Sequence, residues 1–142
     1  MNNLKYIAAT LATSLSLGSV ALADTLTLHV ETASATGTVR AAVYDSQASQ
    51  DAGKLIAGSF TPAQEGTSIL SFPNLAPGTY GVTLFHDQNG NGELDTNLLG
   101  APNEPFGFST NPKIGFSAPK FDAFKFEFDG TPQTLSITLI GG

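Results

Sequence analysis

Apolar residues recur at every second position through much of the chain after residue 24, with polar residues between them. Leu26, Leu28 and Val30 alternate in this way with threonine, histidine and glutamate neighbours. A period of two is typical of a strand that buries one face and exposes the other. Glycine or proline stands in the gaps between the runs, as expected for turns. The pattern predicts about seven strands, over residues 25–31, 39–44, 55–60, 67–72, 79–86, 124–128 and 135–139.

No window after residue 24 has apolar residues at helical spacing. Strands joined by turns, without intervening helices, are typical of an all-β antiparallel sandwich with Greek-key connections. Residues 24–142 have the length of one ordinary domain. We therefore expect a single β-sandwich domain over 24–142, with a long loop at 87–121. We also expect the ten phenylalanines to fill the space between the two sheets, since no tryptophan is present.

The first 23 residues have a different pattern. Lys5 precedes a run of small and apolar residues that ends in Ala21-Leu22-Ala23. An early positive charge, an apolar segment and a small-residue cleavage pattern are typical of a secretory signal peptide. We expect residues 1–23 to be a signal peptide cleaved before Asp24, and the protein to be periplasmic or extracellular. An uncleaved anchor is the alternative, but the run is scarcely long enough to span a bilayer.

Charge and composition narrow the classes of partner. The chain has twelve acidic and six basic residues, a formal net charge of −6, and no cysteine. Loss of Lys5 with the signal peptide would make the net charge −7. Such a charge disfavours nucleic acid and anionic membrane surfaces. The absence of cysteine excludes disulfides and thiolate metal sites. We expect no nucleic-acid partner and no membrane span after the signal peptide.

Oxygen-bearing side chains are densest just after the fifth predicted strand. Asp87, Asn89 and Asn91 alternate, Gly92 is sixth in the run and Asp95 is ninth. This matches the first half of an EF-hand calcium loop, in which alternate residues direct oxygens to one ion and the sixth residue is glycine. The spacing therefore predicts a calcium site.

The match ends at the twelfth position, where Leu98 replaces the bidentate glutamate of an EF-hand. Glu93, the seventh residue, would contribute its backbone carbonyl, and Glu104 would supply a distant carboxylate. We expect weak binding of one calcium ion, with a dissociation constant of about 10⁻⁴ to 10⁻³ M as in extracellular modules. The predicted metal-binding residues are Asp87, Asn89, Asn91, Glu93, Asp95 and Glu104.

A plain solvated turn is the alternative at this loop, because two Asn-Gly pairs are also strong hairpin signals. The next residues, 96–112, are rich in proline and glycine, and we expect them not to join a sheet. Glu104 lies between Pro102 and Pro105, where a metal ligand, an anchoring hydrogen bond and a solvent-facing carboxylate all stay open. We expect the long loop to be ordered by four aromatic rings: Phe106, Phe108, Phe116 and Phe121.

The sequence offers few groups for catalysis. His29 falls on the polar face of the first predicted strand, and His86 shares the apolar face of the fifth. A hydrogen-bonded histidine at the rim of the sandwich is the simplest role for His86, with a metal ligand or general base as alternatives. No nucleophile or phosphate-binding motif occurs. We expect no enzyme activity, and we expect ligand contacts at His86, Phe106 and Phe108.

Two resemblances follow from these residues. The segment from Leu75 to Tyr80, with its Pro-Gly turn, resembles the turn of prealbumin-like sandwich modules. The ordered motifs between His86 and Phe124 resemble a family of small exported bacterial proteins, domain of unknown function 2141. That resemblance implies an envelope or extracellular protein with a prealbumin-like sandwich, and it implies no activity. The strand pattern itself is compatible with either an immunoglobulin-like or a prealbumin-like sandwich. The motif residues are His86, Asp87, Asn89, Asn91, Gly92, Leu94 and Asp95, then Gly100, Pro102, Glu104, Phe106, Gly107, Phe108 and Ser109, then Pro119, Phe121, Asp122 and Phe124.

Together these patterns predict an exported, noncatalytic β-sandwich whose acidic loop binds calcium and whose neighbouring aromatic loop forms a contact surface. Its partner would be a glycan or an envelope protein. A carbohydrate- or peptide-binding module and a structural component of the envelope both stay open, and a glycan-active enzyme is the least favoured alternative. The sequence does not define an oligomeric state.

Overall fold

The structure is a computed structural model and describes residues 25–141. The predicted signal peptide and its cleavage site lie outside the described residues. The chain forms eight strands and two short helices within this range. In chain order they are β1 (Leu26–Thr32), β2 (Thr38–Tyr44), α1 (Gln47–Asp51), β3 (Ala57–Pro62), β4 (Gly66–Phe72), β5 (Gly78–Asp87), β6 (Phe106–Phe108), α2 (Phe121–Phe124), β7 (Phe126–Phe128) and β8 (Gln133–Thr138).

The strands form two sheets. One has the order β4-β1-β8, and the other has the order β3-β2-β5-β6, with β7 also pairing to β5. The predicted all-β sandwich is therefore confirmed. The paired strands are antiparallel except at one pair of the described chain, where β8 runs parallel to β1, with Leu26 opposite Gln133. The pattern of apolar residues sets which face of a strand is buried but does not set its direction.

Alternation along the strands produces the main core. The inward-facing residues of β1 and β2 have almost no exposed surface, while His29 and Glu31 face solvent. Removal of apolar surface from water stabilises the fold by about 25 cal/mol per Å². The fully buried core side chains of these two strands are Leu26, Leu28, Val30, Val39 and Val43.

A second hydrophobic cluster packs against the face of β5 that points away from the main core. It contains Phe108, Phe121 and Phe124, with ring centroids of Phe108 and Phe124 5.1 Å apart. Gly81 makes this packing possible, because a Cβ there would lie 2.5 Å from the Phe124 ring. Phe116 was expected to anchor the same loop, and this is wrong: its side chain is fully exposed.

Other expectations for the loops also need correction. Phe106–Phe108 was expected to stay out of the sheets, but it forms β6 and pairs with Thr83–Phe85 of β5. Pro105 has no N–H group to donate to a sheet, but the three residues after it do, and they pair with β5. The helices were not expected either, because helices of four or five residues are too short to display a helical period. Phe60 also lies outside the core, on the solvent face of β3.

The two lateral sides of the sandwich differ in whether backbone hydrogen bonds connect the two sheets. On one side the sheets are joined through Phe106 and Ile140, whose backbones exchange hydrogen bonds of 3.0 and 2.7 Å. On the other side β3 and β4, the edge strands of the two sheets, form no ladder with each other. In residues 25–141 no helix has the length and apolar character needed to cross a membrane.

Candidate functional site: the acidic loop after β5

The acidic loop, residues 87–95, begins with a buried carboxylate at the end of β5. Asp87 has no exposed surface. Its Oδ2 atom accepts hydrogen bonds from Arg40 Nε at 2.9 Å and from the backbone N–H of Gly92 at 2.8 Å. Its Oδ1 atom is also buried and has no hydrogen-bond partner among residues 25–141. A buried, unpartnered carboxylate oxygen is unfavourable, and native structures usually satisfy such atoms with a protein group, water or an ion.

The ionised form of the Asp87 carboxyl group is favoured, although the side chain is buried. Burial raises the pKa of Asp87, but the hydrogen bond from Arg40, the nearby backbone N–H groups of Gly92 and Gly90, and the charge of Arg40 outweigh it and lower the pKa. Arg40, which pairs with this carboxylate, is itself only partly buried. Asp87 is therefore a charged carboxylate with one oxygen bonded and one available.

Glycine is required where the β1–β2 turn meets the start of the loop. Gly37 has φ of +78°, and a Cβ at this position would lie 2.0 Å from the carbonyl oxygen of Asp87. Within the loop, Gly92 has φ of +81°. The sharp turn predicted for the sixth position is therefore present, because only glycine adopts this conformation without cost.

Three further oxygen-bearing side chains of the loop meet one another. The amide groups of Asn89 and Asn91 both donate to the carboxylate of Asp95, the second at 2.7 Å. The Oδ1 atoms of the same two amides accept backbone N–H groups, Asn91 to Asn89 at 3.1 Å and Glu93 to Asn91 at 3.0 Å. The loop side chains therefore converge instead of pointing separately into water. The Glu93 residue is exposed, and only its backbone N–H takes part in this network.

Glu104 closes the loop. It is almost completely buried, and its two oxygens accept the backbone N–H groups of Gln88 at 3.0 Å and Asp95 at 3.1 Å. The backbone of Asn103 also donates to the Asp95 carbonyl at 2.7 Å. Of the three roles left open by the sequence, the geometry corresponds to the anchoring hydrogen bond. Glu104 ties both ends of the acidic loop to the segment before β6.

An open depression of about 540 Å³ lies over this network, lined by Asn89, Asp95 and Glu104 among others. Within residues 25–141, no group of three or more histidine, aspartate or glutamate side chains could hold a metal ion. An ion in the loop would therefore need amide or backbone oxygens besides the carboxylates of Asp87 and Asp95. Calcium accepts such mixed oxygen ligands.

The predicted ligand-contact residues have structural contacts. His86 is buried, and its Nε2 lies 2.5 Å from the Thr36 carbonyl, so this nitrogen carries the donated hydrogen. Its backbone N–H bonds to Pro105. Phe108 is buried in the second cluster, and Phe106 is partly buried beside it. His86 therefore matches the expected hydrogen-bonded rim histidine, and Phe108 serves packing.

A family model for uncharacterized proteins conserved in bacteria (DUF2141) matches residues 30–136. The chain belongs to this family. The matched range includes the acidic loop, Glu104 and the second cluster, so the family covers most of the sandwich. Searches among curated proteins and among solved structures give no match. The expected prealbumin-like character stays a prediction.

Sequence reasoning missed two residues that join distant segments through polar contacts, Arg40 and Ser109. Arg40 lies on β2, 47 positions from Asp87, and sequence alone gives no sign of this pairing. Ser109 was quoted only as part of a motif, yet it is fully buried, with its hydroxyl accepting from the Val82 backbone and donating to the Phe124 carbonyl. A polar residue directly after an aromatic run was the available signal for a buried hydrogen bond.

Proposed function

We propose that this protein is an exported, noncatalytic β-sandwich module of the cell envelope whose acidic loop is organised by one calcium ion. The observation that carries the calcium proposal is the buried Oδ1 atom of Asp87, which has no partner in the described chain. This atom belongs to the first position of the calcium-loop pattern. A divalent cation would satisfy it and would match the charge of Asp87.

The rest of the loop supports the same proposal. Asn89 and Asn91 already contact Asp95 through their amide groups. A half-turn of each amide would exchange nitrogen for oxygen, since the two ends of an amide have the same shape. The oxygens would then face the Asp95 carboxylate, an arrangement that a cation favours and that is repulsive without one. Two hydrogen bonds from the loop backbone would be lost, which is consistent with weak binding.

Export is supported by residues 1–23, with their single early lysine, apolar run and Ala21-Leu22-Ala23 ending. The absence of an enzyme activity is supported by the histidines: His29 is exposed on a sheet face, and His86 is held by the Thr36 carbonyl. A module of this kind acts through a partner, and we propose a glycan or an envelope protein.

Calorimetric titration with calcium chloride tests the calcium proposal. We expect one site with a dissociation constant of about 10⁻⁴ to 10⁻³ M. At 10 mM calcium this affinity would stabilise the protein by about 1.4 to 2.7 kcal/mol, which is visible as a rise in melting temperature. Asp95→Asn keeps the shape of a partly exposed loop side chain and should weaken binding about tenfold or more.

Asp129→Asn is the matched control, because Asp129 is also a turn aspartate whose carboxylate accepts hydrogen bonds, in this case from Thr131. It should leave the calcium titration unchanged. Absence of heat and of thermal stabilisation in the unmodified protein, or equal loss in both variants, would contradict the proposal. Export is tested separately, since mass spectrometry of the protein recovered outside the cytoplasm should show a chain that begins at Asp24.

A further inference from the structure

The open lateral side of the sandwich has two free strand edges next to each other. Strand β3 pairs on one side only, with β2, and β4 pairs on one side only, with β1. The short connection between Pro62 and Gly66 brings them side by side at one end. On their outer sides, alternate backbone N–H and C=O groups therefore have no strand partner in the described chain. Such an edge is a template for another extended segment.

Neither edge carries a charge that would oppose pairing, and the one proline, Pro62, is the last residue of β3. The sequences of β3 and β4 contain no charged residue, whereas natural edge strands are commonly blunted by lysine or other charges. Leu55 and Ile56, just before β3, are about half exposed. Gly58 within β3 is exposed and leaves its backbone accessible. An uncharged edge beside exposed aliphatic side chains is typical of a surface that has a partner.

A cavity of about 360 Å³ lies between these two strands, at the end where they are not connected. Its wall includes Ile56 and Gly58 from the β3 side and Phe72 at the end of β4. Leu75 from the turn that follows and Tyr80 from β5 also line it. Phe72, Leu75 and Tyr80 are core residues with little exposure. The cavity therefore has an apolar floor directly beside a free backbone edge.

We propose that β3 binds an extended peptide segment of another protein, which adds as a strand and inserts one apolar side chain into this cavity. Backbone pairing supplies affinity in this mode of recognition, and a pocket for alternate side chains supplies specificity. The proposal deepens the binding role in the proposed function by naming its partner. It does not depend on calcium, because the cavity is lined by none of the acidic-loop residues.

The net charge of the protein indicates which extended peptides it would bind. The chain has a formal net charge of −6, so an acidic peptide would be repelled and a neutral or basic one favoured. Close to β3 the charges of Lys54 and Glu65 oppose each other, one before and one after the strand. A second copy of this chain would bring the same negative charge and is disfavoured for the same reason. The occupant is therefore a neutral or basic segment with apolar residues at alternate positions.

The test uses a synthetic peptide of alternating valine and threonine with two lysines at each end, added to the isotope-labelled protein in a chelator. We expect saturable shifts of backbone amide signals in Ala57–Pro62 and slower hydrogen exchange there. The same peptide with alternate backbone nitrogens methylated lacks the donors for pairing and should not bind. A version with glutamates at the ends should bind more weakly, because its charge matches that of the protein.

Gly58→Lys adds a charge to the free edge at a position with space for a side chain, and it should weaken binding about tenfold or more. Gly115→Lys is the matched control, since Gly115 is exposed and surrounded by open space, and it should bind like the unmodified protein. Binding of the methylated peptide, equal losses in the two variants, or no binding at all would overturn the proposal. Concentration-dependent self-association through the β3 amides would also overturn it and would identify a second copy as the occupant. Because the experiment runs without calcium, its failure would leave the calcium proposal intact, and the reverse also holds.

Discussion

Arg40 Nε donates to Asp87 Oδ2 at 2.9 Å, and this contact joins the middle of β2 to the first residue of the acidic loop. The carboxylate is completely buried, while the arginine side chain is 36% exposed and packs over the ring of Phe60, 5.7 Å from its centroid. The pair therefore holds a charge beneath the surface and fixes the start of the loop.

Arg40→Leu should lower the free energy of unfolding by about 2 to 3 kcal/mol at neutral pH, because it leaves the buried Asp87 charge uncompensated. This is less than the loss of about 3 to 5 kcal/mol for a fully buried pair, since Arg40 is partly in water. Urea denaturation measures the change. Lys125→Leu is the control: it removes an exposed pair with Asp122 and should change stability by less than about 0.5 kcal/mol. Similar losses in the two variants would show that burial of Asp87 does not matter.

The lowered pKa of Asp87 makes stability depend on pH in acid. A carboxyl whose pKa is lower in the folded state than the ordinary value of 3.8 stabilises the fold above that value. This contribution is lost as the pH falls through the folded pKa. We expect the stability difference between the unmodified protein and Asp87→Asn to be largest at pH 6 and to shrink below about pH 4.

Urea denaturation of both proteins across this range measures the difference. The pKa of Asp129 is lowered too, in its case by hydrogen bonds from Thr131. Asp129 is present in both proteins, so its effect on stability cancels in the difference. A difference that stays constant from pH 6 to pH 2.5 would show that Asp87 does not titrate with folding.

Glu104→Gln should loosen the acidic loop. Both Glu104 oxygens accept backbone N–H groups, and the amide would present a donor to one of them. The unfolding free energy should fall by about 1 to 3 kcal/mol, and the Asp95 amide should exchange faster with solvent. Glu127→Gln is the control, because Glu127 is exposed and accepts only from the Thr79 hydroxyl in the described structure. An unchanged exchange rate at Asp95 would contradict the closing role of Glu104.

Gly81→Ala should disturb the second cluster. The added Cβ would lie 2.5 Å from the Phe124 ring and 3.0 Å from that of Phe121, so both rings would have to move. Overpacking of this kind costs about 1 to 3 kcal/mol, which thermal denaturation would detect. Gly115→Ala is the control, because nothing lies within 4 Å of its added Cβ. If the two alanine variants have equal melting temperatures, the rings are not confined by Gly81.

The positions of most strands could be predicted from the local pattern of apolar and polar residues. The pairing of β6 and the direction of β8 could not. Strands such as β1 and β2 are visible in the sequence because one face is apolar and the other polar. Strand β6 is not visible, since three residues give too short a pattern and their pairing depends on β5. The parallel direction of β8 depends on the path of the chain between sheets, which periodicity does not encode.

The site divides in the same way. The spacing of Asp87, Asn89, Asn91 and Gly92 predicted a calcium site, which stays a prediction. The structure shows the turn at Gly92 and the two asparagine amides donating to Asp95. The role of Glu104 stayed open because three roles were compatible with a carboxylate between prolines. Arg40 could not be found, because contact between distant strands is a property of the folded register.

The parallel contact between β1 and β8 also bears on how the protein folds. These are the first and last strands of the described chain, so the β4-β1-β8 sheet stays incomplete until residues 133–138 have been made. Contacts between such distant segments slow folding, because a long stretch of chain must be ordered before they form. We expect removal of the residues after Gly130 to leave one flank of β1 bare, with a partly formed sheet that is prone to aggregate.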